Sequence, residues 1–410
     1  MVNSKTYLKA FILCLWGAVI GALGGLAGGG FSLLLSFVTK VRAANPWIIL
    51  LLPVGGIVTV FLYGIFRLGG FSGTNDMIKY VEKRYRLRKV IAPLIFVTTA
   101  ISHLLGASAG REGAAIQLGG AGASIIADVF RLKNEKRTAV ILCGMSAVFA
   151  GVFGIPFTAA VFVLEFRSEK KVFMLSALPC FISALIAEKV SALLGAEKEV
   201  VHVHVPESAS LLSFAKIGLL AVAVSILAIV MCFVFHKSEH FVKKIITNPY
   251  VRILAGAVVI IGLTWAVGDM RYNGAGMDMA IRAIEGEADW YDFLLKMLFT
   301  AVTLSAGFKG GEIVPTFCIG ATFGCVFGGL IGIEPGFAAA LALAGIFCCA
   351  TASPLSAVVL AVEMFGIAIL PYSIPVCIIA WLLSCKEGLF YGRFFASPVF
   401  SRIKSKTKAK

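Results

Sequence analysis

The chain has 410 residues, of which 59% are hydrophobic and only 14% are charged, and its formal net charge is +15. A soluble domain carries roughly 25% charged residues, so this composition excludes a soluble enzyme. It also excludes intrinsic disorder, which needs low hydrophobicity. The composition therefore indicates a polytopic membrane protein, and at about 20 residues per bilayer crossing the length holds on the order of ten spans.

Apolar stretches recur along the whole chain. They lie at 10–38, 47–66, 90–106, 139–165, 172–195, 211–235, 251–267, 293–307, 313–333, 337–367 and 370–385. Helix breaks are predicted within them at Gly24 to Gly30, Pro156, Pro315 and Pro354. Broken helices in a membrane are tolerated only where they are buried in protein or line a water-filled cavity. The pattern therefore favours a transport pathway through an all-α membrane protein.

The excess of Lys and Arg would suggest a nucleic-acid partner in a soluble protein. Here the basic residues form short runs between apolar stretches, at 79–89, 131–137, 167–171 and 402–410. Cytoplasmic loops of membrane proteins carry such an excess. We therefore predict a multi-pass protein of the cell membrane, with a basic cytoplasmic face, both termini on that face, and no nucleic-acid partner.

Ten cysteines and five histidines raise the question of a metal site. The cysteines are scattered through apolar segments without a CxxC pair, which is typical of small buried hydrophobic residues. His202 and His204 alternate in a polar stretch but lack a third ligand. His103, within an apolar stretch, is predicted to be a core residue. We therefore predict no metal and no cofactor.

The two halves of the chain resemble each other. Residues 156–165 (PFTAAVFVLE) align without a gap with 354–363 (PLSAVVLAVE). Upstream of them, 111–121 (REGAAIQLGGA) aligns with 311–321 (GEIVPTFCIGA), so that Glu112 falls on Glu312. Repeated halves are typical of transporters whose site lies at the interface between the repeats.

The duplication divides the chain. Its first repeat is predicted at 1–205 and its second, inverted repeat at 206–395, with the polar stretch 195–210 as the connector between the halves. A basic cytoplasmic tail is predicted at 396–410, after the second repeat, and no folded regulatory domain is expected in it.

The segment 107–121 sets Arg111 and Glu112 between glycines, ahead of a helix-compatible run. A helix start exposes backbone N–H groups and the positive end of the helix dipole, which together bind anions. A substrate anion would then compete with the Glu112 carboxylate for one place. The alternative is a plain Arg111–Glu112 salt bridge at the membrane surface. A functional role is favoured because ionisable residues among apolar segments are functional by default.

The second half repeats this arrangement at 309–320 (KGGEIVPTFCIG), with Pro315 in the first helical turn, where no N–H partner is needed. A further polar segment, 69–77 (GGFSGTNDM), offers donors from Ser72, Thr74 and Asn75. The alternative for that segment is an ordinary loop ahead of a basic run, since such residues favour turns. Two helix starts from two halves would form one joint anion site.

GREG at 110–113, the helix that begins at Pro156 and ends at Glu165, the GGEIVP element at 310–315 and the duplication resemble the CLC family of chloride channels and anion/proton exchangers. The resemblance covers nearly the whole chain. It implies a fold of broken and tilted transmembrane helices in an inverted repeat, set in the lipid bilayer as a homodimer. It also implies that chloride or fluoride ions and protons are the transported species.

The resemblance implies roles for individual residues. Glu112 matches the gating glutamate, whose side chain occupies the anion pathway until it is protonated. Thr74 matches the serine of the first anion-binding loop, and Phe390 takes the place of the central tyrosine in the preferred register, with Tyr391 adjacent. The implied anion-binding residues are Ser72, Gly73, Thr74, Arg111, Gly113, Gly311, Ile313, Val314, Phe390 and Tyr391.

The chain departs from the family pattern at several positions. Ala114 replaces the proline of the first motif, and Phe166 stands where many exchangers carry an internal proton-transfer glutamate. Glu312 looks like a glutamate of the fluoride-exporting branch, and is predicted to be a second gating and proton-transfer group. The first loop lacks the Met and the pair of phenylalanines of that branch.

Glu165 and Glu363 each close an apolar helix. We expect each to cap a helix end or to bind a neighbouring Lys or Arg rather than to take part in transport.

These observations lead to the hypothesis of chloride transport, as chloride/proton antiport gated by Glu112. Two alternatives of the same fold stay open, a fluoride/proton antiporter that exports fluoride and a passive chloride channel. A membrane-embedded enzyme would need a nucleophile with a base, or a metal cluster. The apolar segments contain no such grouping, so the chain is not expected to be an enzyme.

Overall fold

The computed structural model describes residues 4–69, 73–83, 88–166, 170–196, 201–206, 210–384 and 388–389. Three predicted site residues, Ser72, Phe390 and Tyr391, lie outside these ranges, as does the basic tail 396–410. Within them the secondary structure is α-helical apart from short 3-10 turns and one isolated pair of extended residues. The all-α fold class is confirmed.

The described ranges contain sixteen α-helices, eight in each half of the chain. They are α1 Ser4–Ala44, α2 Leu52–Ile65, α3 Thr74–Lys83, α4 Ile91–Leu104, α5 Glu112–Val129, α6 Asn134–Phe153, α7 Pro156–Leu164, α8 Lys170–Leu193, α9 Leu211–Ile245, α10 Pro249–Val267, α11 Met277–Ile284, α12 Asp292–Ala306, α13 Ile313–Leu330, α14 Pro335–Thr351, α15 Pro354–Phe365 and α16 Leu370–Leu383.

Some helices of the two halves correspond in place and length. A long helix opens each half, and α5 and α13, which occupy the same place, both have 18 residues. α6 and α14 are each followed by a left-handed residue, Gly154 (φ 71°) and Ala352 (φ 49°). Pro156 and Pro354 then begin α7 and α15, so the helix breaks predicted there are confirmed. The left-handed conformation costs a non-glycine residue such as Ala352 roughly 1–2 kcal/mol. Its occurrence at the position aligned with Gly154 therefore supports a duplication.

Seven helices of the described part are long and apolar enough to cross a membrane, and four shorter apolar helices accompany them. α1, with its 41 residues, is about 60 Å long at 1.5 Å per residue, twice the roughly 30 Å of a bilayer core. It therefore crosses obliquely or extends beyond the hydrocarbon. The chain is a multi-pass membrane protein.

The break predicted at Gly24 to Gly30 is wrong, because α1 continues through these residues. The glycines lie where neighbouring helices pack against α1. A Cβ on Gly25 would lie 2.7 Å from the carbonyl oxygen of Ala187 in α8, and one on Gly28 would lie 2.8 Å from that of Val148 in α6. These glycines therefore permit close backbone approach, as small residues do in membrane helices.

The core is built around α6 and α14, whose residues are buried on nearly every face. α5 packs against α6, and α13 packs against α14. Except for half-buried Cys14, the cysteines of the described part are buried among apolar side chains, as predicted. The first residues of α5 and α13 are therefore held inside the protein by helices that are themselves buried.

Candidate anion site

The Gly-rich loops of the two halves meet directly. The main-chain N–H of Gly110 donates to the carbonyl of Gly311, and the N–H of Gly311 donates to the carbonyl of Gly110, both at 2.7 Å. The two residues form an isolated antiparallel pair. α5 begins at Glu112 and α13 at Ile313, so two helix N-termini converge inside the protein. Both offer unpaired N–H groups and positive dipole ends to one region.

The Glu112 carboxylate lies at this convergence. Its side chain is fully buried, and Oε1 accepts a hydrogen bond from the main-chain N–H of Ile313, in the first turn of α13. Oε2 has no hydrogen-bond partner among the described groups. The carboxylate of one repeat therefore occupies the anion-binding end of a helix of the other repeat.

Arg111 points away from this carboxylate. Its guanidinium donates to the Ser32 hydroxyl at 3.5 Å and lies 5.0 Å from the centroid of the Phe153 ring. In the structure, the side chains of Arg111 and Glu112 therefore do not form the salt bridge considered from the sequence. Arg111 instead joins the loop before α5 to α1 and α6.

Glycine is needed at several positions because the groups approach one another closely. A Cβ on Gly311 would meet the Glu112 carboxylate and would lie 2.7 Å from the main-chain nitrogen of Gly113. A Cβ on Gly113 would lie 2.9 Å from the Thr74 hydroxyl. The structure thus brings Gly113, Gly311 and Thr74 together near the Glu112 carboxylate.

Thr74 is buried and begins α3, directly after Gly73, whose φ of 65° is left-handed. The Asn75 side chain donates to the carbonyl of Leu389 at 3.1 Å. The N–H of Leu389 in turn donates to the carbonyl of Ala350, at 2.9 Å. These bonds hold Leu389 beside the start of α3.

Glu312 is half-buried and precedes the first residue of α13. Its side chain lines a cavity of about 440 Å³, which is also bounded by Thr74, Gly113, Gly311 and Ile313. Val314 is buried in the next helical position and is not part of this lining. Glu112 and Glu312 therefore lie at the starts of equivalent helices, and of the two only Glu312 borders the cavity.

Four cations and two acids line this cavity in the described part of the chain. They are Lys79, Lys243, Arg252, Lys309, Glu239 and Glu312. The Glu239 carboxylate pairs with Lys243 at 2.5 Å, and the Lys309 ammonium lies 4.4 Å from the centroid of the Tyr63 ring. The positive excess favours anions in the cavity.

Gln117 was missed by the sequence reasoning. Its side chain is buried, lines the cavity from α5, and has an Oε1 without a partner among the described groups. The available signal was a polar residue within an apolar helix.

A buried lysine lies outside the cavity lining. The Lys296 ammonium, fully buried in α12, donates to the carbonyl of Gly274 at 2.7 Å and to that of Tyr272 at 3.0 Å. Its third bond, at 3.0 Å, goes to the hydroxyl of Ser108, in the loop before α5. His103 is buried, as predicted, with Nε2 3.3 Å from the carbonyl oxygen of Gly110. The Lys296 position was missed, although a lysine in an apolar stretch is a functional signal.

Glu165 and Glu363 form reciprocal helix caps. The Glu165 carboxylate accepts from the main-chain N–H groups of Leu355 and Ser356, both at 3.1 Å, and from the Ser356 hydroxyl. At the start of α7, the Glu363 carboxylate accepts from the N–H groups of Phe157 (2.9 Å) and Thr158 (2.6 Å) and from the hydroxyl of Thr158 (2.5 Å). The expectation of a cap is met, but each glutamate caps the first turn of the helix from the other half.

Phe166 is buried one residue after Glu165, with its ring edge-on to Phe162 at 4.7 Å between centroids. An apolar side chain thus fills this position, where the resemblance implies a proton-transfer glutamate in many exchangers.

Two repeats whose helix N-termini meet around a buried carboxylate define an inverted-repeat membrane transport protein. A family profile described as voltage gated chloride channel matches residues 63–384. The chain is 34% identical to the chloride/fluoride channel protein of Pseudomonas syringae pv. tomato, over 92% of this chain and 86% of that protein. The chain therefore belongs to the voltage-gated chloride channel family, and the resemblance to CLC proteins is confirmed.

Two solved structures share the fold. A CLC-type fluoride/proton antiporter superposes with a TM-score of 0.88 at 29% identity, covering 95% of this chain and 99% of that one. A slow cyanobacterial Cl⁻/H⁺ antiporter superposes with a TM-score of 0.73 at 18% identity, covering 100% of this chain and 99% of that one.

Proposed function

We propose that this protein moves a halide ion across the membrane in exchange for protons, and that Glu112 couples the two movements. The observation that carries the proposal is the hydrogen bond from the Ile313 N–H to the Glu112 carboxylate. An anion bound at the start of α13 would need the same N–H. Carboxylate and halide therefore exclude each other, which is the condition for an exchange.

Protonation decides the competition. A carboxylate binds strongly to a helix start, because charge-assisted hydrogen bonds are about twice as strong as neutral ones. Once protonated, Glu112 loses this advantage, and an anion can take its place at the main-chain N–H groups of Ile313 and Val314, in the first turn of α13. The Thr74 hydroxyl, beside Gly113, adds a neutral donor. Several weak donors bind an anion without preventing its release.

Glu312 is proposed as the second proton-transfer group. It lies at the start of α13 and borders the cavity. Phe166 cannot bind a proton, so a proton that reaches Glu112 needs another acid on the way. Among the described residues, Glu312 is an acid that lines the cavity.

Chloride is the ion that the sequence predicts, since the first loop lacks the residues of the fluoride branch. Fluoride is the second candidate, and two observations favour it. Glu312 occupies the place of a glutamate of the fluoride-exporting branch, and the chain is 29% identical to the structurally similar fluoride/proton antiporter.

The test is flux from proteoliposomes that contain the purified protein, monitored with chloride, fluoride and pH electrodes. A proton/halide antiporter moves protons against their gradient when a halide gradient is applied, whereas a passive channel does not. Absence of uphill proton movement with either halide would contradict the proposal of antiport. A larger fluoride flux than chloride flux would select the second candidate.

The proposal extends to the organisation of the protein. The two repeats are assigned to 1–205 and 206–395, with the tail 396–410 beyond them, and both termini to the cytoplasmic face. The cavity is proposed to open to that face, because Lys79, Lys243 and Arg252 line it and basic residues favour the cytoplasmic side. We expect a homodimer, which cross-linking in membranes would test. We expect no enzymatic activity.

A further inference from the structure

A second groove lies where α5 ends and α6 begins. Its volume is about 990 Å³, and sites for small molecules ordinarily have about 300–1,000 Å³. Its described lining includes five cations and one acid, namely Arg88, Lys89, Arg131, Lys133, Arg137 and Asp128. These six residues are not part of the lining of the cavity around Glu312, so the groove is a separate feature of the molecule.

The positive charge of this groove is largely uncompensated within its lining. The Asp128 carboxylate pairs with the Arg137 guanidinium at 2.8 Å, and another nitrogen of that guanidinium donates to the Ser124 hydroxyl at 2.8 Å. Asp128 therefore compensates one cation of the five. Arg88 donates to the main-chain carbonyl of Phe66 at 2.6 Å, a bond that leaves its charge in place. The remaining positive potential favours a strongly anionic ligand.

Arg131 occupies a backbone position that favours glycine. Its φ is 51°, and the N–H groups of Arg131 and Leu132 donate to the carbonyls of Asp128 (3.1 Å) and Ala127 (2.8 Å). These two bonds form the Schellman ending of a helix, in which the left-handed residue is usually glycine. α6 and α10 are followed by left-handed glycines. Because a Cβ is unfavourable in this conformation, an arginine there indicates a use for its side chain.

The groove lies at one end of a candidate membrane span. That span begins at Asn134, which is part of the groove lining. Val129 and Phe130, the last residues before Arg131, have 67% and 58% of their surface exposed. The Phe130 ring lies edge-on to that of Trp16, with 4.6 Å between centroids, and aromatic side chains are enriched where a span meets the membrane surface. A basic groove and an exposed apolar surface therefore adjoin at this boundary.

We propose that this groove binds the phosphate headgroup of an anionic phospholipid, whose acyl chains cover Val129 and Phe130. Arginine binds phosphate oxygens through two parallel hydrogen bonds, and lysine binds them as a point charge. Basic pockets between membrane helices take up anionic headgroups through these contacts. A soluble phosphate compound shares the chemistry of the headgroup but has no acyl chains for the apolar surface. The lipid site goes beyond the proposed antiport and does not depend on it.

The test substitutes Arg131→Gly, which removes a cation and supplies the residue that the backbone favours. A loss of lipid binding then does not arise from a weakened helix end. The full chain in detergent is titrated with phosphatidylglycerol or with phosphatidylcholine, which has no net charge. The midpoint of thermal unfolding is followed, because a ligand that binds the folded state raises it. We expect phosphatidylglycerol to raise the wild-type midpoint, and its affinity to fall about fivefold in Arg131→Gly, as for one basic side chain near anionic headgroups.

Arg67→Gly is the matched control. Arg67 follows α2 with a φ of 51°, and its own N–H and that of Leu68 make the same two bonds to the end of the helix. It does not line the groove. This variant therefore removes the same charge and the same backbone strain at another place, and its affinity for phosphatidylglycerol should be that of the wild type. An equal loss in both variants, or no loss in Arg131→Gly, would contradict the lipid site.

Lys133→Gln is the second variant if Arg131→Gly does not give a monodisperse protein. Its control is Lys136→Gln, since Lys136 lies on α6, is exposed and does not line the groove. Lys133→Gln should also weaken phosphatidylglycerol binding about fivefold. Equal affinities of these two variants would contradict the site.

Soluble glycerol phosphate distinguishes a lipid from a free phosphate compound. At the concentration at which phosphatidylglycerol raises the midpoint, glycerol phosphate should have no effect, because it buries no apolar surface. An equal effect of the two would overturn the assignment to a lipid. An equal rise with phosphatidylglycerol and phosphatidylcholine would overturn the assignment to an anionic headgroup.

Discussion

Glu112 is a fully buried acid whose carboxylate accepts a hydrogen bond from a main-chain N–H rather than pairing with a cation in the described part of the chain. Burying an ionised carboxylate is costly unless hydrogen bonds compensate. The helix start of α13 compensates while Glu112 stays where it is, and a competing anion removes that compensation. The side chain is thus suited to leave its position when it binds a proton.

Glu112→Gln is expected to abolish proton coupling while anion flux continues. Glutamine resembles the protonated acid in shape and cannot carry a proton. Proton uptake driven by a halide gradient should fall to the level of empty liposomes in an electrode assay. Glu285→Gln, at an exposed residue after α11, is the control and should behave as the wild type. Full pH-driven anion uptake by Glu112→Gln would contradict the gating role.

Glu312→Gln is expected to reduce proton movement more than anion movement. The substitution keeps the shape of the side chain, and the bond from the Thr316 hydroxyl to the main-chain carbonyl of residue 312 is retained. Both fluxes should be measured in the same liposomes and compared as a ratio. An equal loss of both fluxes, with expression intact, would indicate a structural role for Glu312.

At the scale of elements, α7 and α15 are short antiparallel partners from different halves. Each ends in a glutamate that binds the first turn of the other. The carboxylates thereby satisfy N–H groups that a helix start leaves open and face the positive end of the dipole. This arrangement ties the two halves together at a second pair of helix starts.

Glu165→Ala and Glu363→Ala should each lower the free energy of unfolding by about 1–3 kcal/mol, because each removes the acceptor of two main-chain N–H groups and one hydroxyl at a helix start. The double variant should lose about the sum, since the two caps share no partner. Thermal unfolding in detergent measures the loss as a lower midpoint, with Glu285→Ala as the exposed control. An unchanged unfolding midpoint would show that the caps do not contribute to the stability of the fold. The proton/anion ratio of the folded protein should stay that of the wild type.

At the scale of the whole molecule, the proposed site lies where the two halves meet. The Gly110–Gly311 pair joins the loops, and Lys296 joins the loop before α5 to the loop before α11 through Ser108 and Gly274. Each half therefore orients groups that belong to the other half.

Lys296→Met should destabilise the protein by about 1–3 kcal/mol, because Ser108 Oγ and the carbonyls of Tyr272 and Gly274 lose a buried donor. Lys216→Met is the matched control, since Lys216 makes a single exposed bond to the Gly332 carbonyl, at 3.1 Å. The comparison is the midpoint of thermal unfolding of the two variants. A loss no larger than that of Lys216→Met would contradict the role of Lys296 in joining the halves.

Local patterns in the sequence were sufficient for much of this description. Hydropathy and low charge determined a multi-pass helical protein, since membrane spans must satisfy their backbone bonds internally. The glycines around Glu112 and Glu312 indicated helix starts, because anion sites of this kind need only consecutive residues. Pro156 and Pro354 were correctly predicted as helix breaks, whereas Gly24 to Gly30 were not.

The tertiary structure decided what depends on residues far apart in the chain. The N–H that binds Glu112 belongs to Ile313, and the helix that Glu165 caps begins at Pro354. No local pattern contains these partners. The glycines of α1 are helical because other helices pack on them, and His236 borders the cavity because α9 passes beside α13. Sequence specifies which groups are available, but packing of the two halves brings them within hydrogen-bonding distance, and that distance determines their chemistry.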